Sequence, residues 1–348
     1  MRGRVYLDWN ATAPLRPEAR AAMIAAMDVV GNPSSVHAEG RAARALVEKA
    51  RAQVASALGA EGAEIVFTSG ASEAAALACA GRGLVSGDIE HDSVASWVDP
   101  CLPVDRDGRV NVADPARTAL QLANSETGVI QDLPPGIAVC DMTQGFGKLP
   151  VAFNWLGCDM ALVSAHKIGG PKGVGALILR RGIELEARIR GGGQELGRRA
   201  GTENVVGIAG FGAAAEAAER DISAGKWAEI EQFRNILEKT VEADANETIF
   251  VGKAAQRLPN TSCFASPGWK GETQVMQMDL AGFAISAGSA CSSGKLRASR
   301  VLRAMGLGEA AAASAVRVSL GPGVREEDVT RFAEAWLAAA ARIRARAG

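Results

Sequence analysis

Apolar residues recur at helical spacing in two Ala-rich stretches near the start of the chain, "RPEARAAMIAAMDVV" and "AEGRAARALVEKARAQVASALG", and predict two helices. Between them "GNPSSVH" reads as a loop by its Gly, Asn, Pro and Ser. The pattern then shortens. "AEIVFTSG" is a β-rich run closing on Thr-Ser-Gly, and "ASEAAALACAG" has the composition of a helix, so a strand, a tight turn and a helix N-terminus are expected here. Further on, "LQLAN", "IAVCD", "DMALVSAHK" and "GVGALILRR" are short, continuously apolar runs between turns. Runs of that kind suit parallel strands buried on both faces, and the core is expected to be α/β.

After the Gly-rich "RGGGQELGRRAGTEN", helical patterns resume in "VVGIAGFGAAAEAAERD" and "WAEIEQFRNILEKTVEA". The last third mixes strand-like runs, "ETIFVG", "LPNTSCFAS", "FAISAG" and "SAVRVSLG", with the helical "REEDVTRFAEAWLAAAARIRARAG". This texture predicts a second, smaller α+β domain. The division expected is 14–223 for the large domain, with 1–13 and 224–348 forming the small one.

Composition narrows the function classes. Lys and Arg number 38 against 39 Asp and Glu, with no basic stripe, so neither nucleic acid nor an anionic membrane is the expected partner and a small molecule is. The N-terminus lacks the apolar stretch of a secretory signal and no run reaches transmembrane length, which points to a cytoplasmic location. Six cysteines, at 79, 101, 140, 158, 263 and 291, show no CxxC pair, so neither a disulfide framework nor a metal site is expected.

Candidate chemistry sits in four places. In "SAGSACSSGK", Cys291 lies among small residues that leave a sulfur exposed and able to travel, although an inconsequential loop cysteine fits the same letters. "DMALVSAHKIGGPKGVG" delivers Ser164, His166 and Lys167 to the end of a strand, where a lysine facing a cavity can attack carbonyls; a surface lysine is the bland alternative. "VCDMTQG" places Asp141 at another strand end with Gln144 a turn later, suited either to a protonated pyridine nitrogen or to a helix cap. "TSGASEA" offers backbone N–H groups with Ser69 and Ser72 at a helix N-terminus, a site for phosphate.

"YLDWNATAP", "GNPSSVH", "EIVFTSGASE", "NSETGVIQD", "DMTQGFGKLP", "SAHKIGGPKGVGAL", "GGGQELGRRAGTEN", "GSACSSG", "VLRAMGL" and "VRVSLG" together resemble the NifS/IscS-type cysteine desulfurases of the class V aminotransferase superfamily, in the family's order from residue 5 to beyond residue 320. The resemblance implies a fold-type I pyridoxal phosphate (PLP) enzyme, with a mainly parallel seven-stranded sheet, working as a homodimer. It implies that Lys167 holds the cofactor and acts as general base, that Asp141 pairs with the pyridinium nitrogen, that Gln144 bonds the phenolic oxygen and that His91 stacks on the ring. Ala71, Ser72, Ser164 and His166 would hold the phosphate, with Thr202 reaching it from the partner subunit. Arg317 would bind the substrate carboxylate, with Asn10, Asn32, Asn124 and Ser125 nearby. L-cysteine would become L-alanine, and Cys291 would carry the sulfur as a persulfide to an iron–sulfur scaffold or another thiol acceptor.

The chain departs from the family where Ser125 replaces a second asparagine, and in shortened segments between Ser72 and Asp141. Lys295 and Arg297 follow Cys291 where relatives carry acidic or neutral residues. Two other readings stand beside the desulfurase: a class V aminotransferase or selenocysteine-lyase-like enzyme with no need of Cys291, and a PLP-binding partner protein weakened in catalysis.

Overall fold

The computed structural model describes residues 3–288 and 298–347. Cys291, Lys295 and Arg297 lie outside the described residues. The two Ala-rich helices form at Pro17–Met27 and Ala38–Ala57. The first has Pro17 at its N-terminal position, where the missing N–H costs nothing; the second is capped by His37, whose side chain accepts from Gly40 N–H. Both pack on the Val205–Ser223 helix, and small residues let the backbones approach: a Cβ on Gly212 would lie 2.7 Å from Ala50 Cα.

The large sheet has five strands in the order Glu64–Thr68, Gly175–Leu179, Met160–Ser164, Val139–Asp141, Ala119–Gln121. A parallel pair, Val85–Gly87 with Asp99–Leu102, continues it through a parallel bridge from Val85 to Thr118. Seven strands therefore lie side by side, but the five-stranded portion is mixed. Gly175–Leu179 runs antiparallel to both neighbours, against the expectation of a parallel strand from "GVGALILRR". The connection from Ala165 to Val174 is too short for the crossover of a dozen or more residues that a parallel neighbour requires, so the chain turns back. The continuous apolar run was sound evidence for burial on both faces, since all five residues of that strand are buried, but it carries no information on direction. The Val85–Gly87 and Asp99–Leu102 pair gave no clear apolar run and was not anticipated.

The smaller unit is α+β. Its antiparallel sheet runs Ser286–Ala287, Ala315–Ser319, Thr261–Ala265, Ile249–Phe250. Val5–Tyr6 pairs with Phe283–Ala284, which brings the N-terminus into this unit and sets Leu7 in its core. The core is aromatic: Trp336 is fully buried, with its ring centroid 5.2 Å from Phe264 and 5.4 Å from Trp269. Its indole N–H donates to Gln274 Oε1 at 2.9 Å, so the ring is buried without stranding its polar edge. Each such side chain contributes about 1.5–3 kcal/mol by burial. Cys79, Cys140, Cys158 and Cys263 are buried and Cys101 is exposed, none of the five in a disulfide.

Candidate active site

The C-terminal ends of the parallel strands open on a cavity of about 540 Å³, the place where open α/β sheets accept ligands. Lys167 enters it from the short turn Ala165–Lys167 that continues the Met160–Ser164 strand, its Nζ donating to the carbonyls of Asn10 at 2.7 Å and Ala11 at 2.9 Å. Gly169, with φ +83°, lets the chain turn immediately beyond it and pack on Arg16. Asp141 closes the adjacent strand and lines the same cavity, its Oδ1 accepting Thr143 N–H at 2.8 Å. Thr143 and Gln144 follow from the next turn. Thr143 Oγ1 is buried without a hydrogen-bond partner among the described residues, a state that costs free energy until a ligand's polar group meets it.

The opposite wall is the N-terminus of the Ala71–Cys79 helix, with Ser69, Gly70, Ala71 and Ser72 on the cavity. The amides and the helix dipole there favour an anion. Gly175 makes the approach possible, since a Cβ would fall 2.7 Å from Gly70 Cα. Burial opposes ionisation of Glu73 behind this turn, yet hydrogen bonds from Arg199 and Ser69 prevail and hold its carboxyl below the usual range.

Two histidines complete the walls. His91 caps the Asp92–Ala95 turn, its Nδ1 accepting from Ser93 N–H at 3.2 Å, which leaves Nε2 to carry the proton of the neutral ring. His166 Nδ1 lies 3.1 Å from Thr12 Oγ1. Burial first, then the charges of Lys167 and Lys172, push its pKa down to about 4, so the ring is neutral around pH 7. Lys172, the second lysine of "SAHKIGGPKG", also lines the cavity.

Lys167, Asp141, Gln144, His91, Ala71, Ser72, Ser164, His166 and Ser125 thus share one cavity. Asn10, Asn32, Asn124, Thr202 and Arg317 are not among its lining residues. Asn10 is buried beneath it, donating to Ser125 O at 3.3 Å and Thr261 Oγ1 at 2.9 Å. Asn124 is likewise buried: its Oδ1 accepts the N–H groups of Glu126 and Thr127 and shapes the "NSETG" turn. Asn32 is exposed and bonds Ser34 N–H. Thr202 is exposed on its loop. Arg317 is buried with Asp8 at 2.7 Å and Ser125 O at 2.9 Å, and its Nε has no partner among the described residues.

Several site residues escaped the sequence reading. Thr12, Ser93, Gln121 and Thr143 line the cavity. Glu90, next to His91, is buried with Oε1 accepting Gln121 N–H and Oε2 without a partner among the described residues, and burial pushes its pKa up to about 8. Glu126 accepts the Ser299 hydroxyl at 2.6 Å, and burial pushes it up to about 7. Thr143 and Lys148 both fall within "DMTQGFGKLP", so their motif membership was an available signal; the burial of Glu90 and Glu126 had none.

A mixed sheet with a lysine, an aspartate and a helix N-terminus at its strand ends is the arrangement that the resemblance to fold-type I enzymes implies. The chain matches the family Aminotransferase class-V over residues 5–97 and 111–332. It is 39% identical to a cysteine desulfurase of Cereibacter sphaeroides, covering 95% of this chain and 94% of the relative. It is 36% identical to the cysteine desulfurase IscS of Dictyoglomus turgidum, covering 94% and 92%. Among solved structures, a NifS-like protein from Rickettsia africae superposes with a TM-score of 0.86 at 32% identity, covering 96% of this chain and 98% of that one. The chain belongs to the class-V aminotransferase family, in its NifS/IscS-type cysteine desulfurase branch.

Proposed function

We propose that the protein is a PLP-dependent cysteine desulfurase that converts L-cysteine to L-alanine and passes the sulfur through a persulfide on Cys291 to a thiol acceptor such as an iron–sulfur scaffold. The observation that carries the reading is the convergence of Lys167, Asp141, Gln144, His91 and the Ala71–Ser72 helix start on one cavity. The residues suit the cofactor: an amine for its aldehyde, a carboxylate for its ring nitrogen, an unpartnered Thr143 hydroxyl and a helix N-terminus for its phosphate. When bound, PLP supplies an electron sink for bond cleavage next to the amino acid's α carbon.

Each side chain then has a task. Lys167 is the one amine placed at a strand end over the Asn10 and Ala11 carbonyls, and it moves the α proton. Asp141, held by Thr143 N–H, keeps a negative charge where a ring N–H arrives. Neutral His166 donates or accepts at the phosphate wall without adding charge. Arg317 sits behind Ser125, and its unpartnered Nε is the donor left for a substrate carboxylate.

The active unit is a homodimer in this reading, with Thr202 serving the partner's cavity. Two features support it. Thr202 is exposed and away from its own cavity. On the same loop Leu196 is 85% exposed, its backbone in the left-handed region at φ 57° beside Glu195, whose buried carboxylate pairs with Arg51 at 2.9 Å. An apolar side chain presented on a conformation that costs free energy is reasonable where a second subunit covers it.

The test is direct. Purified protein with PLP, L-cysteine and a reductant should yield alanine and sulfide in equal amounts. Transamination of L-cysteine to a keto acid, with no alanine formed, would replace the desulfurase with another class-V activity.

A further inference from the structure

Beneath the cavity lies an amine that the reaction as described does not use. Lys148 is 3% exposed, the only buried lysine among the described residues. It stands four residues after Gln144 in the turns that follow the Val139–Asp141 strand, and the two side chains meet. Its Nζ donates to Gln144 Oε1 at 2.6 Å and to Asn10 Oδ1 at 2.9 Å. Burial, reinforced by the charges of Lys167 and Arg317, holds its pKa well below the usual lysine range. Both of its hydrogen bonds go to side-chain oxygens.

Backbone carbonyls, which can only accept, settle which end of each amide faces the amine: Gln144 Nε2 donates to Asn10 O and Asn10 Nδ2 to Ser125 O, so both side-chain oxygens turn to Lys148. Asn10 has a second support, because Asn260 Nδ2 also donates to Asn10 Oδ1 at 3.1 Å. Gln144 Oε1 has Lys148 as its donor, while Gln144 Nε2 gives one hydrogen to Asn10 O at 3.0 Å. Gln144 lines the cavity, so its second N–H is the polar group left for a ligand there. Donation into Oε1 also polarises the amide and strengthens that N–H. Without Lys148, Oε1 would be a buried acceptor with no donor, and the amide would gain by turning it toward the cavity.

We propose that Lys148 is a positioning residue of this site: by donating to Gln144 Oε1 it fixes that amide with an N–H presented to the phenolic oxygen of the cofactor. The inference rests on the PLP reading above, and it concerns a residue that touches neither cofactor nor substrate.

Two measurements test it, one without cofactor. In the apoprotein, the folded Lys148 amine is neutral at pH values where the unfolded chain's amine is protonated, so the native state gains stability as pH rises toward the ordinary lysine pKa. The melting temperature of wild type relative to Lys148→Met should therefore rise from pH 7 to pH 10. In the PLP-loaded protein, the pH at which the yellow lysine-bound chromophore loses its proton should rise by about one pH unit in Lys148→Met. That is the scale of one hydrogen bond to a charged oxygen. Lys148→Gln, which restores an –NH2 donor, should return it toward the wild-type value and serves also if Lys148→Met does not fold.

Adding Lys148→Met to Gln144→Leu should cause no further change in that pH. An unchanged chromophore titration in both Lys148 variants, or additive effects in the double variant, would overturn the inference while leaving the desulfurase reading intact. Wild-type protein that takes up no PLP would sink both.

Discussion

Replacing Glu126 by glutamine should flatten the dependence of stability on pH. The Glu126 carboxyl sits between the two units of the molecule, accepting the Ser299 hydroxyl at 2.6 Å, and Ser299 in turn caps the Arg300–Ala304 helix by accepting Leu302 N–H at 3.1 Å. Burial raises its pKa from the ordinary 4.5 to about 7, against the Ser299 hydrogen bond and the charges of Arg317 and Arg300, which favour ionisation. A folded pKa above the unfolded one means the native state binds the extra proton between these values. The stabilisation is complete below pH 4.5 and is lost as pH rises through 7. The difference between 4.5 and about 7 corresponds to about 3 kcal/mol at most. Glutamine keeps the volume and one acceptor oxygen but does not titrate.

Denaturant unfolding of wild type and Glu126→Gln at pH 4.5, 6 and 8 isolates the effect, because every other titrating group is common to both proteins. The stability of wild type relative to the variant should fall by up to about 3 kcal/mol across that range. Parallel pH profiles would refute the reasoning and show that water reaches the carboxylate in the folded state. The buried Glu90, raised from 4.5 to about 8, acts in the same direction, so the profile of the variant should keep its own decline from pH 4.5 to about 8.

Other outcomes follow from the same geometry. Lys167→Ala should abolish the yellow chromophore on PLP addition, whereas Cys291→Ala should keep it and lose sulfide release; absorption spectra and a sulfide assay separate the two. With Asp141 in its proposed role beside the ring nitrogen, Asp141→Asn should lower kcat roughly 100-fold, read by initial rates of alanine formation. Glu238 is buried against Arg257 at 2.8 Å and accepts the Ser262 hydroxyl at 2.8 Å, so Glu238→Gln should cost about 3 kcal/mol of stability by leaving a buried guanidinium uncompensated, measurable by denaturation. His166, lowered to about 4, should show no titration of its ring protons by NMR between pH 6 and 9. Its stabilising contribution should instead be lost as pH falls from 6.5 through 4.

Local sequence determined much of this molecule. The helices Pro17–Met27, Ala38–Ala57 and Val205–Ser223 follow from apolar spacing and caps, and the strands that deliver Asp141 and Lys167 follow from short apolar runs ending at polar residues. Those signals are local, because a helix face or a strand end is set by residues within a few positions of each other. Strand direction was not legible in Gly175–Leu179, since an apolar run is the same whichever way it points and only the short return from Lys167 decides. The tertiary structure also decided which groups surround Asn10 and Arg317. Asn10 is bonded to Lys148, Asn260 and Thr261 beneath the cavity, and Arg317 to Asp8 and Ser125, neighbours that their own motifs do not name. The protonation of His166, Glu126 and Lys148 belongs to the same class. It depends on how much water and which charges surround a group, and those neighbours come from distant parts of the chain, brought together only by packing.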